Sequence, residues 1–250
     1  MSERRFAGKC FIITGAGRGL GYAFAERLGR EGARVVIAEI DAALGAAATQ
    51  KLLGQGIDAV FVETDVSSEA SVDAMARAAA AHGPIDGLVA NAGWANNVGG
   101  KTYAEIAPEV WDRMMAVNVR GTWLTVRAVA PLMRDGGSIV TLSSDSIYWG
   151  APRLLHYVTS KSAIVGMTRS LARELGERMI RVNCLLPGLT LNEVTKGIPE
   201  QRWNDYAERQ MLKRKQMPDD LDGVVAFLLS DDAKFITGQT LAVDGGFSLH

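Results

Sequence analysis

The sequence is poor in the residues from which metal centres and disulfide frameworks are built. Its three histidines, His82, His156 and His250, are scattered without metal-ligand spacing, so no catalytic metal is expected. Its two cysteines, Cys10 and Cys184, each sit inside an apolar run, which predicts buried thiols in a reducing compartment. Net charge is equally scarce: 27 Lys and Arg against 28 Asp and Glu leave −1. That balance argues against a nucleic-acid partner, whose phosphates call for a basic face. The short basic cluster Lys213, Arg214, Lys215 lies among acidic neighbours and reads as a solvated helix end. No run approaches the ~20 apolar residues of a membrane span, and the apolar stretch 10–14 is too short for a signal peptide. These absences predict a cytoplasmic protein. No repeat, linker or low-complexity segment divides the chain, so residues 1–250 read as a single domain.

What is present is alternation. Short runs at 10–14, 34–39, 59–64, 87–91, 138–143, 181–186 and 240–244 are rich in Val, Ile and Leu on successive positions, as strands buried on both faces should be. Between them lie helical stretches at 20–31, 42–54, 69–82, 108–134, 157–177 and 219–230. This order predicts an α/β fold: a Rossmann-type, doubly wound parallel sheet of about seven strands, with helices on both faces and right-handed crossovers. Only 189–217 breaks the rhythm, with Gly197, Pro199, Trp203 and Tyr206 in a long excursion. Excursions of this kind are usually functional, and a short helical lid over a substrate pocket is expected.

The first strand runs into Thr14-Gly15-Ala16-Gly17-Arg18-Gly19-Leu20-Gly21, and a helix follows. Glycines let the backbone turn sharply and approach a pyrophosphate, while the helix N-terminus offers free N–H groups. The spacing is G-x-x-x-G-x-G, carried by Gly15, Gly19 and Gly21, with Arg18 and Leu20 between them. At the end of the second strand stands Glu39. An acid there accepts hydrogen bonds from ribose hydroxyls and repels a 2′-phosphate, which favours NAD. Arg18 argues the other way, because a guanidinium can hold that phosphate, but a flexible Arg is easier to redirect than a repulsion is to evade.

Tyr157 and Lys161 are four positions apart in a helical stretch, so they project from one face. A phenol with a pKa near ~10 is a poor acid–base group at neutral pH; a nearby ammonium favours the phenolate and predicts a usable base. Such pairs arise often by chance, and the context supplies the weight. Ser144 follows the strand 138–143, and strand C-termini are where ligands bind in a parallel sheet. Its hydroxyl would hold a substrate oxygen beside Tyr157, with Ser143 and Ser146 as rival assignments. Asn91-Ala92-Gly93 ends the fourth strand on the same rim, and Asn118 falls mid-helix, where Asn is usually only tolerated.

The segment 14–21, Asp65-Val66, the segment 91–93, Asn118, Ser144, Tyr157, Lys161 and Pro187-Gly188 together resemble the motif set of the short-chain dehydrogenase/reductase family, in the expected order over nearly the whole chain. The resemblance implies hydride transfer between a nicotinamide cofactor and a secondary alcohol or ketone. It implies that Tyr157 exchanges the proton with the substrate oxygen and that Ser144 orients that oxygen. Lys161 would bind the nicotinamide ribose and depress the tyrosine pKa, and Asn118 would help hold a water-linked proton relay. Asp65 and Val66 would flank the adenine, and Asn91 and Gly93 would line the adenosine side. Backbone groups after Pro187, around Leu189 and Thr190, would contact the carboxamide. Two positions depart from the pattern: Ala90 where a second Asn is common, and Asn192 where Thr is frequent.

Substrate contacts are expected from Trp94, Ser146, Trp149 and His156 on the rim, and from Leu189 and Trp203 on the lid side. These aromatics suit an apolar pocket for a ring or bulky alkyl group, while Trp203 and Tyr148 read equally as packing of the lid or a subunit contact. The ending 233–246 is similar to family members that oxidise aryl or ring-bearing alcohols. The resemblance also implies a homotetramer, with 108–134 and 157–177 as candidate interfaces. Two rival readings stand beside this one. A biosynthetic NADPH-dependent ketoreductase, such as a 3-oxoacyl carrier-protein reductase, is opposed by Glu39. A non-catalytic dinucleotide sensor on the same fold would have no need of Ser144, Tyr157 and Lys161 together.

Overall fold

Alternation along the first strand, β1 (Cys10–Thr14), sends Phe11 and Ile13 to one side of the sheet and Cys10 and Ile12 to the other, and all four are buried. A strand covered on both faces therefore needs an apolar residue at every position. This computed structural model, which describes residues 4–95 and 99–249, continues with β2 (Arg34–Glu39), β3 (Ala59–Glu63), β4 (Ile85–Ala90), β5 (Met133–Leu142), β6 (Arg181–Pro187) and β7 (Thr240–Val243); the edge strands β3 and β7 and the start of β5 are more exposed. His250 lies outside the described residues. All pairings are parallel, and the seven strands run in the order β3-β2-β1-β4-β5-β6-β7.

The helices are α1 (Gly19–Arg30), α2 (Ala42–Gly54), α3 (Glu69–Ala81), α4 (Pro108–Met114), α5 (Gly121–Val129), α6 (Ser146–Trp149), α7 (Leu155–Glu174), α8 (Glu200–Arg209) and α9 (Asp219–Leu229). One core packs α1, α2 and α9 against the Phe11 and Ile13 side, through Phe24, Leu28, Leu52 and Val225. A second core packs α3, α5 and α7 on the Ile12 side, through Met75, Leu124, Val129 and Ala172. Local caps set two of the starts: the Asp41 side chain accepts the N–H groups of Ala43 and Leu44, and Ser68 accepts that of Ser71. Among the described residues no helix is long and apolar enough to cross a membrane.

The unbroken helix expected over 108–134 is corrected. A π-helical turn, Met115–Arg120, separates α4 from α5, and a 3₁₀ turn, Ala130–Leu132, ends the segment so that Met133 already belongs to β5. Pro131 has no N–H to continue the helix. The π turn hardly disturbs the apolar periodicity, which explains why the pattern reads straight through it.

Strand order reverses between β1 and β4, and ligands of such sheets bind outside the strand C-termini at this point. The glycine turn after β1, 91–93 after β4, Ser143 and Ser144 after β5, and Pro187-Gly188 at β6 all reach this rim. The excursion 189–217 rises from it and carries α8; its two stems are joined by the Leu191 N–H, which donates to the Gln216 carbonyl at 2.8 Å.

Candidate active site

Absent side chains shape the turn after β1. A Cβ on Gly21 would stand 2.3 Å from the Gly15 carbonyl oxygen, and one on Gly15 would stand 2.9 Å from Ala92 Cα. Gly15 and Gly19 have φ of 64° and 59°, the left-handed region that favours glycine. Behind the turn, the Asn91 side-chain amide donates to the carbonyls of Thr14 and Gly15 at 2.9 and 3.1 Å, and the Ala92 N–H donates to Thr14 Oγ1 at 3.0 Å. Asn91 therefore braces the turn. In front of it, α1 begins at Arg18 with no side-chain cap and no acidic residue in its first turn. Uncapped N–H groups beside a closely approachable backbone fit a pyrophosphate. Leu20 packs inward on the core, and Arg18 is exposed.

Glu39 reaches across this turn. Its Oε2 accepts the Gly17 N–H at 3.0 Å, and Oε1 accepts the N–H groups of Ile40 and Asp41 at 2.9 and 3.2 Å. Three backbone donors thus hold a carboxylate at the end of β2, where an adenosine ribose would meet it. Asp65 accepts both the N–H and the hydroxyl of Ser67, and Val66 is buried against Gly121. At the lid base, Asn192 Oδ1 would stand 3.6 Å from a Cβ on Gly19, so this departure from the family pattern lies directly over the turn.

The polar set converges on the other side of the rim. Asn118 is 1% exposed: its Oδ1 accepts the Trp94 N–H at 2.7 Å, and its Nδ2 donates to Ser160 Oγ at 3.0 Å. A Cβ on Gly93 would lie 3.4 Å from both Asn118 Oδ1 and Lys161 Nζ, so these groups meet over a bare backbone. Lys161 Nζ donates to the Leu142 carbonyl at 3.0 Å and stands 5.8 Å from the Tyr157 ring centroid. Geometry separates two of the rival serines. Ser143 donates to the Lys161 carbonyl at 2.7 Å and so anchors α7, whereas the Ser144 hydroxyl turns to Asp145 Oδ1 at 3.3 Å and is close enough to the Tyr157 phenol to lower its pKa. Ser146 is buried, with its hydroxyl unbonded.

Burial acts on both the Tyr157 phenol and the Lys161 ammonium. Burial pushes the phenol up to about 12, the Asp145 charge adds to the rise, and the Ser144 hydroxyl only partly opposes it. Burial likewise draws the Lys161 ammonium down to about 8. An ammonium turned to a carbonyl and itself poorly solvated does not offset the desolvation of its neighbour.

The substrate side is built differently from the expectation. Trp203 is 3% exposed, with its indole N–H on the Ile198 carbonyl at 3.2 Å, so it is the core of the 189–217 excursion and not a lining residue. Trp94 packs under Arg113, 4.5 Å from its ring. His156 is fully buried and bonds through neither ring nitrogen; burial and then the Lys101 charge lower its pKa. Leu189 is half-buried, and Thr190 is tied to the Gly188 carbonyl and to Gln216. Trp149 donates to Asp145 Oδ2 at 3.2 Å, while Pro187 accepts the Asp145 N–H at 3.1 Å. Asp145 and its lid partner Tyr206 are the residues that the sequence reading missed. A carboxylate directly after the expected catalytic serine was the available signal. Two members of the basic cluster are locally neutralised: Arg214 pairs with Asp220 at 2.5 Å and Lys215 with Glu200 at 2.6 Å.

Comparisons with known proteins find relatives over nearly the whole chain. The family model described as Enoyl-(Acyl carrier protein) reductase matches residues 15–248. Dehydrogenase/reductase SDR family member 4 of Bos taurus is 36% identical over 251 residues, covering 97% of this chain and 88% of that protein. A 3-ketoacyl-(acyl-carrier-protein) reductase from Brucella melitensis, solved with NADH, has a TM-score of 0.89 at 35% identity, covering 98% of this chain and 100% of its own. A blue fluorescent protein from a metagenomic library, solved with NADPH, has a TM-score of 0.90 at 33% identity, with coverage of 98% and 100%.

Proposed function

The chain belongs to the short-chain dehydrogenase/reductase family, and from that premise we propose that it interconverts secondary alcohols and ketones by hydride transfer with NAD. The convergence of Ser144, Tyr157, Lys161 and Asn118 beside the uncapped start of α1 carries this reading. NAD bound along the glycine turn would supply the hydride acceptor, and its reduced form the donor. The protein supplies position and proton control. Gly15, Gly19 and Gly21 admit the pyrophosphate, Asp65 and Val66 border the adenine, and the backbone from Pro187 to Thr190 meets the carboxamide. Ser144 holds the substrate oxygen, and Tyr157 exchanges its proton. A phenol near 12 is protonated at neutral pH, ready to donate in ketone reduction. Alcohol oxidation needs the phenolate and should quicken as pH rises.

Glu39 supports NAD over NADP, since a carboxylate held by three N–H groups cannot swing away from a 2′-phosphate. The second reading, an NADPH-dependent ketoreductase, rests on the exposed Arg18 beside the same turn. Relatives of both cofactor kinds are known, so neither reading is borrowed from them. Trp94, Trp149 and Leu189 favour an apolar or ring-bearing alcohol, with 189–217 as the lid. A shallow apolar depression formed by Met115, Ala116, Val119, Trp123 and Met167, with Trp123 45% exposed, supports association through α4, α5 and α7 into a homotetramer. Two buried free thiols suit a cytoplasmic setting. Absorbance at 340 nm, following NAD and NADP against aryl, cyclic, sugar and acyl substrates, tests the assignment. Turnover with NAD on ring-bearing alcohols, lost in Tyr157→Phe while NADH still binds, is the expected result. Preference for NADP, or activity only on acyl thioesters, would overturn it.

A further inference from the structure

Tyr206 lies on helix α8, 61 positions from Asp145, yet its hydroxyl donates to Asp145 Oδ2. The other carboxylate oxygen, Oδ1, accepts the Ser144 hydroxyl at 3.3 Å. Asp145 is 3% exposed, its own N–H is fixed to the Pro187 carbonyl at 3.1 Å, and Trp149 holds Oδ2 at 3.2 Å. One buried carboxylate therefore joins the lid, the turn after β6 and the serine expected to hold the substrate oxygen. Packing alone does not call for this chemistry. Tyr206 stacks on Phe247 with centroids 4.1 Å apart and planes 7° from parallel, and a phenylalanine would do the same. The hydroxyl is engaged elsewhere, on Asp145.

We infer that Asp145 and Tyr206 are positioning residues that couple the lid to Ser144: Tyr206 steadies the carboxylate, and the carboxylate sets the direction of the serine hydroxyl. The reactive geometry is then complete only with α8 in place. The inference rests on the proposed role of Ser144. Three titratable groups act on or with the carboxylate, Tyr206 from α8, Tyr157 from α7 and Asp244 after β7, and Arg209 lies over the neighbouring rings of Phe247 and Trp149 at 4.5 and 5.8 Å. Burial raises the Asp145 pKa, Asp244 raises it further, and the Tyr206 hydrogen bond opposes both. Loss of that bond therefore moves the Asp145 titration to higher pH.

The test compares the full-length protein with Tyr206→Phe, Asp145→Asn and Phe247→Leu, on the best alcohol found and across the acid to neutral range. Tyr206→Phe is expected to lower kcat about ten- to a hundredfold, with NADH affinity by fluorescence kept, and to move the acid limb of kcat/KM upward. Asp145→Asn should remove that limb, and Phe247→Leu should leave it in place. The ¹⁵N indole signal of Trp149 provides a readout independent of turnover, because it should follow the Asp145 titration and shift with it in Tyr206→Phe. Wild-type kcat and an unmoved limb in Tyr206→Phe would overturn the inference, as would a Trp149 signal blind to that substitution. A wild type inert toward every alcohol, with the Trp149 signal still responding, would overturn the proposed function and with it the coupling to Ser144.

Discussion

Replacing Gly21 with alanine tests whether the glycine turn is as closely built as its distances say. A Cβ there would stand 2.3 Å from the Gly15 carbonyl oxygen, 2.7 Å from Asn91 Nδ2 and 2.9 Å from Ala16 Cα. None of these is the free end of a flexible side chain. Two are backbone, and the Asn91 amide is pinned to the Thr14 and Gly15 carbonyls at 2.9 and 3.1 Å. The turn itself must move. Overpacking of this kind costs about 1–3 kcal/mol, and each Asn91 bond broken adds about 1 kcal/mol. Alanine returns about 1 kcal/mol through helix propensity, because Gly21 lies in the first turn of α1. The net loss of about 2–3 kcal/mol lowers Tm by roughly 5–10 °C in a domain of this size. Affinity for NADH, by fluorescence titration, should fall more than about tenfold, since the first amides of α1 move with the turn. Gly54→Ala is the control. It ends α2 with nothing within 4 Å of its Cβ, and it should gain about 0.5 kcal/mol. A Gly21→Ala protein that melts within about a degree of wild type and titrates normally would refute the close packing.

Three further outcomes follow from the same geometry. Ser143→Ala removes a buried hydrogen bond to the Lys161 carbonyl and should cost about 1 kcal/mol in urea unfolding with a modest effect on rate. Ser144→Ala should do the reverse, losing about a hundredfold in kcat with little change in midpoint; equal effects of the two would dissolve the distinction. Glu39→Gln should cut the NAD-over-NADP ratio of kcat/KM by about tenfold or more, and an unchanged ratio would return the discrimination to other residues. Lys161 falls from 10.5 to about 8 on folding, so the folded chain binds fewer protons between those values. Its burial penalty is full below pH 8 and is relieved as pH climbs towards 10.5. Lys161→Met should therefore be inactive yet more stable at neutral pH by about 1–3 kcal/mol. That advantage should vanish at alkaline pH; a gap independent of pH would remove desolvation as its cause.

What the sequence determined by itself was local or periodic. Runs such as Cys10–Thr14, apolar from Cys10 to Ile13, dictate strands covered on both faces, and their alternation with helical stretches dictates the doubly wound sheet. The turn through Gly15, Gly19 and Gly21 was legible because its backbone requirement falls on the residues that meet it. Tyr157 and Lys161 were legible because helix spacing alone puts them on one face. Tertiary structure decided the rest, wherever one residue's environment comes from another part of the chain. Hydrophobicity says that Trp203 will be buried, but only the path of the 189–217 excursion says that it is buried within that segment. Ser143 and Ser144 are chemically the same, and the position of α7 gives Ser143 the Lys161 carbonyl as its acceptor. The direction of the Tyr157 pKa depends on where the Lys161 ammonium comes to rest and on how much water burial removes. Asp145 and Tyr206, 61 positions apart, meet only when α8 folds over the end of β5. No periodicity records such a meeting, because contacts between distant segments depend on how the intervening elements pack.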